Sequence, residues 1–213
     1  MKTYIPVLIV FGATFGVWTL GTLLAVRKIE EPSYTIVEDK EWYQIREYAP
    51  YIVAEVQVTG TQQESLTAGF RLLAGYIFGG NTKKESIAMT APVQDIQKQS
   101  ESIKMTVPVI DIENEKDEHT IQFTMPSKYT LETLPKPNND KVTFREIPTT
   151  QRAVLRYTGW ATAQKVAQKK QHLKELLERD SLKSSGEMIS AQYNPPLSFP
   201  YLRRNEILVD IAK

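Results

Sequence analysis

Two histidines and no cysteine limit the chemistry open to this 213-residue chain. Without thiols there is no disulfide, no Cys-ligated zinc or iron–sulfur centre and no thiol nucleophile. His119 and His172 are too few imidazoles for a three-His metal site or a relay of histidines. His119 closes the acidic run 113–118. Consecutive carboxylates on a loop do not converge on one coordination geometry, so a solvated hairpin tip is expected there. His172 lies off the apolar stripe of its helix and is expected at the surface.

Carboxylates are the remaining acid–base candidates. Glu47 and Glu146 occupy equivalent places in an internal repeat, and two carboxylates brought together would split their pKa values. Each follows an arginine, Arg46 and Arg145, so ion pairs on a strand surface are the simpler account. Glu206, just before the last apolar strand, would hold a cationic ligand if it faced a cavity, although a Glu at a strand start is more often exposed. No nucleophile elbow, phosphate loop or dinucleotide fingerprint occurs. No catalytic residue and no metal ligand is assigned, and the protein is not expected to be an enzyme.

The repeat that positions these residues has an offset of 99. Ile45-Arg46-Glu47 matches Phe144-Arg145-Glu146, Ala54 matches Ala153, and Thr59-Gly60 matches Thr158-Gly159. Apolar alternation and flanking prolines predict strands over 43–48, 52–58, 142–147 and 153–157. A helix follows each pair. The first opens with the capping-box spacing Thr61-x-x-Glu64, carries Leu66, Phe70, Leu73 and Ile77 on one face, and stops at Gly79-Gly80. The second, over 162–179, carries Val166, Leu173, Leu176 and Leu177. Further strands are expected over 87–93, 103–109, 121–125 and 207–211, with charged loops over 95–102 and 113–118. The fold class is α+β, with two helices on a curved, mostly antiparallel sheet of pseudo-twofold symmetry.

Residues 4–26 carry no charge, between Lys2 and Arg27-Lys28. As a helix they would rise about 35 Å, enough to cross a membrane. No Ala-x-Ala cleavage site follows, so an uncleaved single-pass anchor over 1–28 is expected, with residues 29–213 as a domain on the extracytoplasmic side. The full chain has 26 Lys+Arg against 25 Asp+Glu. That balance argues against binding nucleic acid through broad phosphate neutralisation.

The apolar and aromatic group Phe70, Leu73, Tyr76, Ile77 and Phe78, beside Met89 and Met105, is of a kind that is usually core and is also what a flat apolar ligand needs, a choice that composition alone leaves open. The ordered motifs around it resemble the SOUL/haem-binding protein family. They are Tyr43-x-Ile-Arg46-x-Tyr48-x-Pro50, Gly69-Phe70-Arg71, Tyr76-Ile77-x-Gly79-Gly80-Asn81, Ile87-Ala88-Met89-Thr90-Ala91-Pro92-Val93, Phe123-x-Met125-Pro126-Ser127-x-Tyr129, Leu134-Pro135-x-Pro137-Asn138, and the C-terminal Tyr193-Asn194-Pro195-Pro196 and Arg204-Asn205-Glu206. The resemblance covers roughly 33–211.

It implies duplicated βαββ-like halves forming a distorted antiparallel β-barrel with two flanking helices. It also implies haem, or a related porphyrin, as cofactor, held on an apolar surface near the first helix. In this chain that surface would be Phe70, Arg71, Leu73, Tyr76 and Ile77, with Arg71 near a propionate or Tyr76 as a phenolate-type ligand. Some members carry a histidine proposed as axial ligand where this chain has Glu47, so the resemblance implies porphyrin-face binding with little selectivity for iron. The expected function is a membrane-tethered carrier or buffer of haem. Two alternatives use the same fold: a scaffold for protein partners, and a small-molecule effector-binding domain built on Glu206 or Glu47.

Overall fold

The computed structural model describes residues 29–84, 86–97, 118–194 and 198–212. The 4–26 stretch, the strand expected over 103–109 and Met105 lie outside them. Among the described residues no helix is long and apolar enough to cross a membrane. The expected single-pass anchor and extracytoplasmic placement are corrected on that finding, which leaves membrane tethering without support.

Among the described residues nine strands form one antiparallel sheet. In chain order they are β1 (Tyr34–Asp39), β2 (Gln44–Tyr48), β3 (Tyr51–Thr59), β4 (Val93–Gln97), β5 (Glu118–Thr124), β6 (Thr143–Ile147), β7 (Thr150–Tyr157), β8 (Ser184–Gln192) and β9 (Asn205–Ile211). The helices are α1 (Gln62–Ile77), between β3 and β4, and α2 (Ala163–Arg179), between β7 and β8. The sheet runs β1-β2-β7-β9-β8-β4-β5-β3-β6. Among the described residues its edges are β1 and β6, so the distorted antiparallel barrel expected is a curled half-barrel sheet.

Without β1, that order reads the same from either end when β2, β3, β4 and β5 are exchanged for β6, β7, β8 and β9. The repeating unit is therefore ββαββ, one strand longer than the expected βαββ. The pseudo-twofold axis passes between the central strands β4 and β8, where Asp95 lies opposite Ser190. Each half lends its first strand to the other: β2 pairs with β7, and β6 with β3. The register preserves the 99-residue offset, with Ile45 opposite Ala153 and Phe144 opposite Ala54.

Both helices pack on one face of this sheet. Leu73 and Ile77 of α1 bury against Ala54, Val56, Ile121 and Phe123. Leu173 and Leu177 of α2 bury against Ile45, Leu155, Ile207 and Val209. The intervening residues point to the opposite face by the two-residue period of a strand. There Tyr48, Val154, Ala191, Tyr193 and Leu208 form a third cluster.

The helix ends follow local chemistry. The Thr61 hydroxyl accepts from Glu64 N–H at 3.4 Å, and the Glu64 carboxylate accepts from Thr61 N–H at 3.0 Å, completing the capping box. Thr162 caps α2 through Lys165 N–H at 3.3 Å, without a reciprocal carboxylate. At the other end of α1, Gly79 has φ +107° and Gly80 N–H reaches back to Gly75 O at 2.8 Å, a turn that favours glycine.

Two expected elements change. Strand structure starts at Val93, not at 87, and the supposed loop from 95 contains most of β4. The strands β1 and β8 were not foreseen; β8 reads Ser-Ser-Gly-Glu-Met-Ile-Ser-Ala-Gln, whose apolar alternation is weak.

Candidate functional site

The sheet face that carries the helices leaves a groove between α1 and the segment leading into α2. It encloses about 400 Å³. Leu66 and Phe70 of α1 form one wall, Trp160 and Ala161 the other, and Val93 with Gln192 the floor. Those floor residues are register partners on the two central strands, so the groove lies over the pseudo-twofold axis. Phe70 is held edge-on to Phe123, with ring centroids 5.3 Å apart, and remains 36% exposed. Trp160 is half exposed, with the Arg203 guanidinium 4.1 Å from its ring centroid. Burial lowers the Arg203 pKa from its ordinary value. Asn205 donates to Gly159 O at 2.9 Å, which ties the Trp160 loop to β9.

The five residues expected to bind the cofactor occupy different environments. Phe70 lines the groove and Arg71 is exposed beside it. Leu73, Tyr76 and Ile77 are buried beneath α1, at 0%, 2% and 1% exposure. The Tyr76 hydroxyl donates to Pro135 O at 2.9 Å inside that core. Trp160, Asn194 and Arg203 were not singled out from the sequence, yet the repeat holds a signal for Trp160. Gly60 leads directly to the cap Thr61, whereas Trp160 and Ala161 separate Gly159 from the cap Thr162.

Outside the groove, on the same sheet face, is a buried polar cluster. His119 is not at a solvated tip: it is 2% exposed on β5, with Nδ1 2.7 Å from Asp95 Oδ1. Its Nε2 is also buried, with no hydrogen-bond partner among the described residues. Burial raises the Asp95 pKa, against the opposing pull of His119 and Lys170. Burial likewise lowers the Lys170 pKa, against Asp95 and Glu187. His172 is half-buried and lines a separate shallow groove with Trp42 and Lys169.

The opposite sheet face holds a closed charge network. Glu206, expected at the surface, is fully buried. Arg46 Nη1 donates to both Glu206 oxygens at 3.1 Å, Arg204 Nε donates to Oε1 at 3.0 Å, and the Tyr193 hydroxyl donates to Oε2 at 2.6 Å. Burial lowers the Arg46 pKa, but Glu206, Tyr48 and Tyr34 outweigh it and the net shift is upward. Burial and Glu206 together push the Tyr48 phenol up to about 12. Every Glu206 oxygen is thus satisfied by this chain's own donors, which leaves no acceptor for an outside cation. Glu47 and Glu146 do not meet: Glu47 lies opposite Gln151 on β2, accepting from its amide at 2.9 Å, and Glu146 lies opposite Ile52 on the far edge strand. Nor do the neighbouring arginines pair with them, since Arg46 goes to Glu206 and Arg145 to Glu55.

The family description "SOUL heme-binding protein" matches residues 29–210. A search of curated proteins gives no match. Among solved structures, the C-terminal domain of EcmrR is similar with a TM-score of 0.57 at 13% identity, over 80% of this chain and 98% of that one. A hydrolase from Listeria innocua gives 0.53 at 8% identity, over 83% and 94%. An uncharacterised conserved protein from Listeria innocua gives 0.54 at 9%, over 92% and 98%. At such identities the structural likeness establishes the fold alone, whereas the family match spans nearly every described residue. The chain belongs to the SOUL haem-binding protein family.

Proposed function

We propose that this protein binds haem or a related tetrapyrrole in the groove between α1 and the start of α2, and carries or buffers it. The observation that carries the reading is the groove's chemistry: Phe70, Leu66 and Trp160 as apolar walls with Arg203 at the side. A porphyrin needs flat apolar surface for its ring and a cation for its propionates. Leu73, Tyr76 and Ile77 take a supporting part, fixing α1 on the sheet so that Phe70 stands at the groove. Arg71, exposed next to Phe70, is a second cation within the same surface.

No histidine, tyrosine or methionine lines this groove among the described residues. Its lining residues therefore fit the porphyrin and its carboxylates and supply no strong axial donor to iron. Metal-free protoporphyrin should bind nearly as well as hemin. Titrating full-length protein with both ligands tests this, following absorbance for hemin and tryptophan quenching for both. Saturable one-to-one binding is expected, with about tenfold loss in Phe70→Ala and in Trp160→Ala, about 1.4 kcal/mol each. Glu47→Ala should bind as wild type does. Non-saturable binding, or affinity indifferent to both aromatic substitutions, overturns the groove assignment.

A further inference from the structure

A second cleft, sharing no lining residue with the groove, encloses about 700 Å³. It is formed by the 30–33 segment, the turn between β2 and β3, the 124–132 loop and the end of β6. Four carboxylates from separate parts of the chain line it, Glu30, Glu31, Glu132 and Glu146, and among the described residues no lysine or arginine does. Arg204 neutralises Glu31 at 2.9 Å. Glu30 accepts only the Ser127 N–H, at 2.8 Å, and neither Glu132 nor Glu146 has an ion pair among the described residues. Among the described residues, three carboxylates without a cationic partner therefore border one concave space.

An independent feature points to a ligand. Thr124, 5% exposed, lines the cleft, and among the described residues its hydroxyl has no hydrogen-bond partner. A buried hydroxyl without a partner costs free energy that a ligand-borne polar group recovers. A single metal ion does not fit: among the described residues no three carboxylates or histidines come close enough to hold one. Carboxylates from separate parts of the chain in a cleft also lined by Met125 and Leu131 suit a cation whose own charges are spaced by methylenes.

We propose that this cleft binds a linear aliphatic polyamine. Its ammonium groups face Glu30, Glu132 and Glu146, its methylenes lie on Met125 and Leu131, and one N–H is accepted by the Thr124 hydroxyl.

Calorimetric titration of full-length protein with spermidine, n-butylamine and magnesium chloride at physiological salt tests the proposal. Saturable one-to-one binding of spermidine is expected, with n-butylamine at least about tenfold weaker because single charges gain little at exposed carboxylates. The double variant Glu132→Gln/Glu146→Gln should bind spermidine about tenfold or more weakly. Thr124→Val should lose about three- to tenfold, the range of one hydrogen bond. Both replaced glutamates are exposed, so the double variant should keep the wild-type Tm and its hemin affinity. Magnesium binding as tightly as spermidine, an unchanged double variant, or no saturation would each overturn the proposal, and none of these results bears on the haem groove.

Discussion

The two halves of this protein share one register but treat the same arginine in opposite ways. Arg46 and Arg145 are repeat equivalents, each one residue before a glutamate and each on the sheet face away from the helices. Arg46 is paired with Glu206, the two side chains being 5% and 0% exposed. Arg145 is paired with Glu55 at 3.0 Å, with 50% and 20% exposed. The position corresponding to Glu206 in the first half is Thr120, and that to Glu55 in the second is Val154. Duplication thus copied the backbone, while charge was placed independently in each copy. One consequence is that Arg46 reaches across to the other half and enters a closed network around Glu206, while Arg145 stays in an exposed pair with Glu55.

The largest effect should come from breaking the closed network. Glu206→Ala leaves Arg46 buried without its anion and Arg204 with Glu31 alone, and a loss of about 3–5 kcal/mol is expected. Arg145→Ala, which removes the exposed member of the other pair, should cost only about 0–1 kcal/mol. Chemical denaturation of the two variants measures the difference directly. Equal losses would mean that burial does not separate these pairs.

The helices carry a second contrast between the halves. Gly69 lets α1 approach β5 closely, since an added Cβ would stand 2.4 Å from Ile121 Cγ1. At the 100-residue offset of the helices, α2 has Lys169 there. Gly69→Ala should destabilise by about 1–3 kcal/mol through overpacking, because Ile121 is wholly buried. Gly75→Ala, six residues along the same helix with nothing within 4 Å of its Cβ, should stabilise by about 0.5–1 kcal/mol. Opposite signs in the two Tm values would locate the constraint at the sheet contact. A matching loss at both positions would place it in the helix backbone.

The duplication was legible because both copies keep Arg-Glu, Ala and Thr-Gly at fixed spacing, and the capping box because its two side chains are four residues apart or fewer. The strand exchange between halves was not legible, since an offset states which residues are equivalent and not which ones pair. Glu206 and His119 were misplaced for one physical reason. Their environments are set by residues far away in sequence, with Arg46 160 positions from Glu206 and Asp95 24 positions from His119. Phe70 was found from the motif around it, whereas Arg203 depends on a loop that only the folded chain brings over Trp160.

The smallest expected effect concerns two aspartates with opposite shifts. Asp180, at the end of α2, is held down to about 2, first by its hydrogen bond from Arg179 and then by the Tyr43 hydroxyl. A carboxyl lowered in the folded state contributes stability above its ordinary pKa and loses it as pH falls through the folded value. Asp95, in β4, is raised, chiefly by burial. Its contribution has the reverse sign: it is fully present below the ordinary carboxylate pKa and is lost as pH rises through the elevated one. Replacing Asp95 by asparagine keeps an oxygen for His119 Nδ1 and removes the buried charge. Asp95→Asn should therefore melt at or above the wild-type temperature at pH 7, and the gap should close as the pH is lowered to about 4. Asp180→Asn should melt below wild type at pH 7, and its deficit should persist at pH 4, where Asp180 is still ionised. A lower Tm for Asp95→Asn at pH 7 would mean that His119 and Lys170 stabilise the Asp95 anion by more than burial costs it, and the contrast between the two aspartates would then be one of degree and not of sign.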